Sequence, residues 1–234
     1  PLVLHPNRER GHLDHGWLKT AHSFSFAGYV NPDRMHFGAL LVLNEDTIAP
    51  GQGFGEHFHE NMEIVTIPLS GSLQHHDSLG NGSTVEAGEA QIMSAGTGIM
   101  HSEFNASEIK PVHLLQLWIL PHTRGLKTRY EQRTLPSSKN NWALVASPSG
   151  EDASFAIHQQ AWIHVGRFDE GKTIDALLHD PSHGLFLFVI DGDIQVEEHT
   201  LTTGDAITCE QRSSIHIKCR RESHLLALEV PMSI

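Results

Sequence analysis

The chain has 234 residues, of which 39% are hydrophobic and 19% are charged, a composition typical of globular rather than disordered proteins. Its 28 Asp and Glu residues outweigh 16 Lys and Arg residues, and the formal net charge of -12 disfavours non-specific binding to nucleic acid or to an anionic membrane surface. The longest apolar runs, such as Gly184 to Ile190, are far shorter than the ~18 residues of a membrane-spanning helix. We therefore expect neither a nucleic-acid partner nor a membrane partner.

Short apolar or alternating runs recur at intervals of about ten residues, separated by Gly, Pro, Asn and Asp, a pattern typical of an all-β protein. The predicted strands include, in chain order, Phe37–Asn44, Met62–Leu69, Glu89–Met93, Val112–Leu120, Leu185–Ile190 and Leu225–Val230. The segment Ser78–Gly82 predicts a hairpin turn, because Gly and Asn supply the positive φ angles that such turns need. Helical periodicity is scarce, and we predict only one or two helical turns, around Arg124–Arg133.

The two halves of the chain share an order of features. In each half a strand, a Gly and a few polar residues are followed by a Gly-Glu or Gly-Asp turn, which predicts two copies of one β-barrel unit. The first half has these features at Leu69–Gly71 and Ala87–Glu89, and the second half has them at Ile190–Asp193 and Thr203–Asp205. Pro, Ser, Lys and Asn cluster near Leu135–Asn141, so we divide the chain into domains of residues 1–134 and 135–234.

Two cysteines, Cys209 and Cys219, are too few for a disulfide framework, and we expect them to be buried structural thiols. The first ten residues of the chain as given are charged and do not form a signal peptide. Both observations favour a cytoplasmic location. The most unusual feature of the composition is its 19 histidines, which call for a search for metal ligands.

Two pairs of metal-ligating residue types follow glycine-rich stretches. His57 and His59 form the first pair, and His101 and Glu103 form the second. Residues two apart on a β-strand point to the same face, so each pair presents two side chains to one interior. Together the pairs supply three imidazoles and one carboxylate. This mixed nitrogen and oxygen set suits Fe(II), Cu(II), Ni(II), Zn(II) or Mn(II) and leaves open positions on an octahedral ion.

The histidine pairs lie within two longer motifs that resemble those of the cupin superfamily. The motifs are Gly51-x5-His57-x-His59-x3-Glu63-x7-Gly71 and Gly88-x5-Ser94-Ala95-Gly96-x4-His101-x3-Asn105. In the second motif Ser94 stands where Pro is usual, and the spacing from Gly96 to His101 is longer by two residues. These departures, with the step from His101 to Glu103, resemble the pirin branch of the cupins.

Further segments resemble pirins, at residues 10–17, 22–26, 91–96 and 116–119. Within the family the chain is most similar to bacterial pirin-like quercetin 2,3-dioxygenases. The resemblance implies an all-β bicupin with two tandem antiparallel β-barrels of the double-stranded β-helix, or jelly-roll, type. Since such a chain already pairs two barrels, we expect a monomer.

By position, the resemblance implies that His57, His59, His101 and Glu103 are the metal ligands. Glu63 matches a glutamate that coordinates metal in many other cupins. In pirins that role falls to the position of Glu103, so we expect Glu63 to orient an imidazole by accepting its other N–H. Family resemblance makes Fe(II) the first choice of metal, and Cu, Ni, Co, Mn and Zn remain alternatives.

The implied activity is cleavage of the heterocyclic ring of flavonols such as quercetin by dioxygen, with release of carbon monoxide. In this reading Glu103 is also catalytic, as the general base that accepts the substrate proton. One alternative is that the natural substrate is another enolisable or phenolic compound. A second is a non-enzymatic, redox-responsive metal-binding regulator of transcription factors or metabolic enzymes.

We interpret the remaining histidine and aromatic candidates without assigning them to the metal site. His179, His183 and His216 lack a His-x-His step, so we expect the C-terminal domain to be a degenerate cupin without metal. His75 and His76 are adjacent and face opposite sides of a strand, so we interpret the segment His75–Asp77 as an exposed rim. We expect the aromatic residues Phe24, Phe26 and Tyr29 to form core or a pocket lid.

Overall fold

A computed structural model describes all residues 1–234, and the chain folds into 22 strands and two short 3-10 turns. The first twelve strands are β1 (Leu2–His5), β2 (Gly11–Asp14), β3 (Leu18–His22), β4 (Leu40–Ile48), β5 (Gly53–His59), β6 (Glu63–Ser70), β7 (Ser72–Asp77), β8 (Gly82–Glu86), β9 (Glu89–Ser94), β10 (Ile99–Asn105), β11 (Val112–Ile119) and β12 (Arg129–Thr134). The others are β13 (Trp142–Ser147), β14 (Phe155–Ala156), β15 (Trp162–Phe168), β16 (Thr173–Leu177), β17 (Gly184–Asp191), β18 (Asp193–Val196), β19 (His199–Thr202), β20 (Ala206–Glu210), β21 (Ser214–Cys219) and β22 (Ser223–Val230). The 3-10 turns are Asn7–Glu9 and Glu151–Ala153. The prediction of an all-β chain is confirmed.

No helix in the structure has the length and apolar character needed to cross a bilayer.

The chain forms two compact units. The first unit comprises Arg10–His36 and Leu40–Leu135. It contains a seven-stranded sheet in the order β12-β9-β6-β11-β4-β3-β2 and a four-stranded sheet in the order β5-β10-β7-β8. Leu18, Ile48 and Leu114 of the larger sheet pack with Leu73 and Val85 of the smaller one. The core therefore lies between two sheets, as in a jelly roll, rather than inside one closed barrel.

The second unit comprises Pro1–Glu9, Phe37–Ala39 and Pro136–Ile234. Its sheets have the orders β1-β20-β17-β22-β15-β13-β14 and β16-β21-β18-β19. Strand β1 pairs antiparallel with β20, so the first nine residues belong to this unit. The sequence-based division had assigned them to the N-terminal domain, because the sequence pattern carries no sign of a pairing across some 200 positions.

The core of the second unit also lies between its two sheets. Leu187, Leu225 and Ile207 of the larger sheet pack with Ile194 and Ile217 of the smaller one, and none of these side chains is more than 1% exposed. Cys209 and Cys219 are buried and free within this core. Burial raises the pKa of both thiols, so they are inert structural groups, as expected.

The predicted hairpin turn is confirmed, because β7 and β8 pair antiparallel on either side of residues 78–81. The Asp77 carboxylate accepts hydrogen bonds from the backbone N–H groups of Leu79 and Asn81, and Gly80 has φ 89°.

The predicted helical turns around Arg124–Arg133 are wrong. Residues 129–134 form β12, which pairs antiparallel with β9. Within β12, Tyr130 and Gln132 point to one face, and the Tyr130 hydroxyl donates to Oε1 of Gln91. A short segment cannot sustain a helix by propensity alone, and the ladder with β9 supplies bonds that an isolated turn lacks.

Candidate metal centre

The first pair of predicted ligands lies on β5 and the second on β10, which are neighbours in the four-stranded sheet of the first unit. His101 lies directly opposite His57 in this ladder. The register then shifts at a bulge between His101 and Glu103, which turns the strand locally. A Cβ at Gly53 would lie 2.2 Å from the backbone oxygen of Glu103, so the bulge requires a glycine at that position of β5.

The structure brings the three predicted histidines together. Each offers one ring nitrogen, and these three atoms lie within 4.8 Å of one another. The ring centroids are 4.7 Å apart for His57 and His59, 4.3 Å for His57 and His101, and 4.8 Å for His59 and His101. A single ion about 2 Å from each nitrogen fits such a group after small side-chain adjustments.

Hydrogen bonding fixes which nitrogen of His57 faces the group. Its Nδ1 lies 2.6 Å from the backbone oxygen of Gly55, and because a carbonyl only accepts, Nδ1 carries the proton. The Nε2 atom of His57 therefore presents a lone pair, and it lies 2.7 Å from Nε2 of His101. This is the tautomer and orientation that a metal-binding imidazole needs.

Burial and the neighbouring imidazoles keep His59 and His101 neutral. Burial, reinforced by the neighbouring His57 and His59, lowers the pKa of His101 to about 2. Burial and the neighbouring His57 also lower the pKa of His59 to about 4. Metal ions bind the neutral form of histidine, so the residues present fit a divalent cation.

Glu103 lies beside His101, outside the group of three nitrogens, and is 4% exposed. One carboxylate oxygen is 3.5 Å from Nε2 of His101, and both oxygens accept hydrogen bonds from Nε2 of Gln116, at 3.2 and 3.3 Å. The Nε1–H group of Trp118 donates to Oε1 of Gln116 at 3.1 Å. Burial raises the pKa of Glu103 to about 7, against the opposing effect of the Gln116 hydrogen bond. The Gln116 amide thus holds the buried carboxylate in place.

Glu63 was expected to orient an imidazole. Its buried carboxylate lies 3.7 Å from Nη2 of Arg129, and Nε of the same arginine donates to Oγ of Ser94. Sequence analysis did not anticipate this ion pair, because Arg129 lies on β12, where helical turns had been predicted.

The interpretation of His75–Asp77 as an exposed rim is wrong for two of its three residues. The side chains of His75 and Asp77 are both 0% exposed, and only His76 is exposed. In the ladder of β7 and β10, His75 lies opposite Glu103 and Asp77 opposite His101. The alternation of β7 therefore points His75 and Asp77 inward. The apolar Leu73, two residues earlier, was the signal for this inward face.

Within the first unit, a series of aromatic side chains packs next to the three histidines. Trp118 meets His59 edge-to-face with centroids 5.0 Å apart, Phe26 meets Trp118 at 5.4 Å, and His22 meets Phe26 at 5.1 Å. Phe24 is 6% exposed and belongs to the core. His22, Gln116 and Trp118 were not predicted as residues of the site. For two of them a signal was present: Gln116 and Trp118 alternate with leucines on β11, so they share a face.

Two histidines of the second unit share a buried carboxylate. Glu229 is 2% exposed and accepts hydrogen bonds from Nδ1 of His179 at 2.8 Å and from Nδ1 of His183 at 2.9 Å. The His179 ring also stacks on Trp162, with centroids 4.0 Å apart. His216 is exposed and pairs with Asp175. His179, His183 and His216 therefore each have a carboxylate as a hydrogen-bond partner.

Comparisons with known proteins agree with this architecture. Residues 3–119 match the family model described as Pirin, and residues 144–230 match the one described as Quercetinase C-terminal cupin domain. The chain is 38% identical over 231 residues to a quercetin 2,3-dioxygenase of Escherichia coli K12, covering 98% of this chain and 99% of the relative.

Solved structures show the same fold. The bacterial pirin YhhW of Escherichia coli in complex with nickel(II) has a TM-score of 0.94 and 38% identity, covering 100% of both chains. GK1651 of Geobacillus kaustophilus, at 21% identity, has a TM-score of 0.82 and covers 100% of this chain and 96% of that one. The expected bicupin architecture is confirmed. The chain belongs to the pirin family of the cupin superfamily.

Proposed function

We propose that this protein is a metal-dependent dioxygenase that cleaves the heterocyclic ring of flavonols such as quercetin. The observation that carries the proposal is the convergence of three imidazoles and a buried carboxylate beside an aromatic wall. The name quercetin 2,3-dioxygenase, borne by a relative that matches nearly the whole chain, supports the same reaction.

His57, His59, His101 and Glu103 are the residues proposed to hold the metal. A divalent ion bound there supplies a Lewis acid that lowers the pKa of a coordinated hydroxyl and orients the substrate beside dioxygen. We propose Fe(II) as the physiological metal. Nickel(II) is the ion in the YhhW complex, and the order of divalent affinities places nickel above iron, so availability in the cell decides between them.

Glu103 is the proposed general base. Its buried carboxylate accepts the proton of the flavonol hydroxyl as that hydroxyl becomes an oxyanion. Gln116 holds both oxygens of the carboxylate, and this keeps Glu103 directed at one place while it gains and loses the proton.

The aromatic residues around the histidines suit a planar substrate. Trp118 and Phe26 present apolar surface next to His59, and apolar walls with a few polar groups are typical of small-molecule sites. Beyond them, Nδ1 of His22 and Oδ1 of Asn44 are buried without a hydrogen-bond partner. They are proposed to receive hydroxyl groups of the substrate. In the overall reaction two oxygen atoms enter the opened ring and one ring carbon leaves as carbon monoxide.

The test is carbon monoxide release from quercetin in air. Protein reconstituted with Fe(II) is compared with metal-stripped protein and with a His57→Ala variant, and the exposed substitution His216→Ala serves as the matched control. Release in step with quercetin loss, dependent on metal and on His57, is the expected result. No release with Fe(II), copper, nickel, cobalt or manganese would overturn the proposal in favour of a metal-binding regulator.

A further inference from the structure

A buried histidine–aspartate pair lies behind one of the proposed metal ligands. Nε2 of His75 is 2.6 Å from Oδ2 of Asp77, and both side chains are 0% exposed. The His75 ring stacks flat on Tyr130, with centroids 4.1 Å apart and an interplanar angle of 12°. The Tyr130 hydroxyl is in turn bonded to Gln91 and Ser83. The hydrogen bond to Asp77 and the stacking on Tyr130 therefore fix both the position and the ring plane of the His75 side chain.

This pair faces His101. The ring centroids of His75 and His101 are 5.5 Å apart. Two imidazoles joined by a direct N–H···N bond have centroids about 5 Å apart, given a donor–acceptor distance of about 2.9 Å. Nδ1 of His75 and Nδ1 of His101 are both buried, and neither has a hydrogen-bond partner. Buried polar nitrogens are rarely left unpaired, so each of these two requires an explanation.

Proton placement makes the two nitrogens complementary. The Asp77 carboxylate only accepts, so Nε2 of His75 carries the proton of its neutral ring and Nδ1 of His75 offers a lone pair. When Nε2 of His101 binds a metal, the ring of His101 carries its proton on Nδ1. One nitrogen is then a donor and the other an acceptor, on rings whose centroids lie 5.5 Å apart.

We propose that His75, itself held by Asp77, accepts a hydrogen bond from Nδ1–H of His101 and so positions His101 for metal binding. Ligating histidines commonly give their second N–H to such a partner, and loss of the partner costs about 10–100-fold in metal affinity. The proposal rests on the ligation of metal by His101 and not on flavonol chemistry. His75 and Asp77 are positioning residues, because they act through His101.

The test measures the affinity of the protein for nickel(II) by competition with a chelator. In His75→Leu the acceptor is lost, and we expect the dissociation constant to rise about 10–100-fold. In His75→Asn the amide oxygen stands near the former Nδ1, and we expect affinity close to that of the wild type. In Asp77→Asn the amide N–H donates to Nε2 of His75, so the proton of the His75 ring moves to Nδ1. That proton then faces the Nδ1 proton of His101, and we expect the affinity for nickel(II) to fall as in His75→Leu. His76→Leu, on the exposed face of the same strand, is the matched control.

A second readout separates positioning from a general effect on folding. The absorption spectrum of the cobalt(II)-loaded protein is expected to change in His75→Leu and Asp77→Asn and to return to the wild-type form in His75→Asn. Wild-type affinity in both His75→Leu and Asp77→Asn, with nickel lost in His101→Ala, would overturn this inference alone. Equal loss in His75→Asn and His75→Leu would also overturn it. A wild-type protein that retains no nickel would overturn both this inference and the proposed ligation.

Discussion

Nε2 of His57 and Nε2 of His101 lie 2.7 Å apart, although the two residues are separated by 44 positions in the chain. The contact arises because β5 and β10 pair antiparallel with these residues directly opposite each other. The bond from Nδ1 of His57 to the backbone oxygen of Gly55 then directs the free lone pair of Nε2 toward His101. Backbone pairing and one backbone carbonyl thus assemble the centre.

Loss of a proposed ligand is expected to abolish both metal retention and turnover. His57→Ala and Glu103→Ala each remove one ligand from the four-residue set, whereas His179→Ala, His183→Ala and His216→Ala leave it complete. Elemental analysis of the purified proteins, together with quercetin turnover, checks this. Full metal occupancy and full turnover in either of the first two variants would refute the ligand assignment. Loss of a second metal equivalent in any of the other three would show a second site.

Gln116→Leu is expected to lower kcat about 10–100-fold while the metal is retained. The substitution removes the two hydrogen bonds that hold the Glu103 carboxylate, and a misplaced general base loses much of the 10²–10⁴-fold that acid–base catalysis typically contributes. Steady-state kinetics and metal content of the variant check this. Trp118→Phe removes the donor to Gln116 while an aromatic ring remains beside His59 and Phe26, and it is expected to have a smaller effect. An unchanged kcat in Gln116→Leu would show that Glu103 needs no such support.

Gly53→Ala is expected to weaken metal binding, whereas Gly55→Ala is not. A Cβ at Gly53 would meet the backbone oxygen of Glu103 at 2.2 Å and Cα of Phe104 at 2.5 Å, whereas a Cβ at Gly55 meets nothing within 4 Å. The first substitution therefore pushes on the bulge that places Glu103, and the second is its matched control on the same strand. Nickel affinity of the two variants, measured side by side, is the check. Equal affinities would show that the bulge does not set the ligand geometry.

His224 of the second unit is expected to make folding stability depend on pH. Burial, and to a lesser degree Arg167, lowers the pKa of His224 from 6.5 to about 4. Between these values the unfolded chain binds more protons than the folded one, so the free energy of unfolding falls as pH decreases from about 6.5 to 4 and levels off below. The contribution is on the order of 1 kcal/mol, since the side chain is partly exposed.

Urea unfolding of wild type and His224→Gln at pH 7.5, 5.5 and 4 isolates this contribution from that of other groups. The variant is expected to lose less stability than the wild type across this range. His216→Gln, which alters an exposed histidine, is expected to follow the wild type. Parallel curves for His224→Gln and wild type would contradict the assigned cause.

Much of the candidate metal centre could be predicted from local sequence, because its proposed ligands come as two-residue steps on strands. His57 with His59, and His101 with Glu103, each share a face by the simple alternation of a β-strand. What brings the two steps together is a long-range pairing, and here the similarity to cupin motifs supplied what periodicity could not.

The surroundings of the centre were harder to predict, because they depend on which strands face each other across the core. His75 is adjacent to an exposed histidine, and Asp77 begins a turn, so both had the local features of a rim. Their burial follows from the stacking of His75 on Tyr130 of the opposite sheet. Because residues of β12 were predicted as helical turns, no sequence pattern indicated the contact between His75 and Tyr130.

A single metal-dependent catalytic centre is tested most directly by a metal titration followed by turnover. Fe(II) is added stepwise to metal-stripped protein under anaerobic conditions, and carbon monoxide release from quercetin is then measured on exposure to air. We expect release to rise in proportion to added metal and to reach a plateau at one equivalent per chain. Release that is independent of metal, or a plateau at two equivalents, would contradict a single catalytic centre formed by His57, His59, His101 and Glu103.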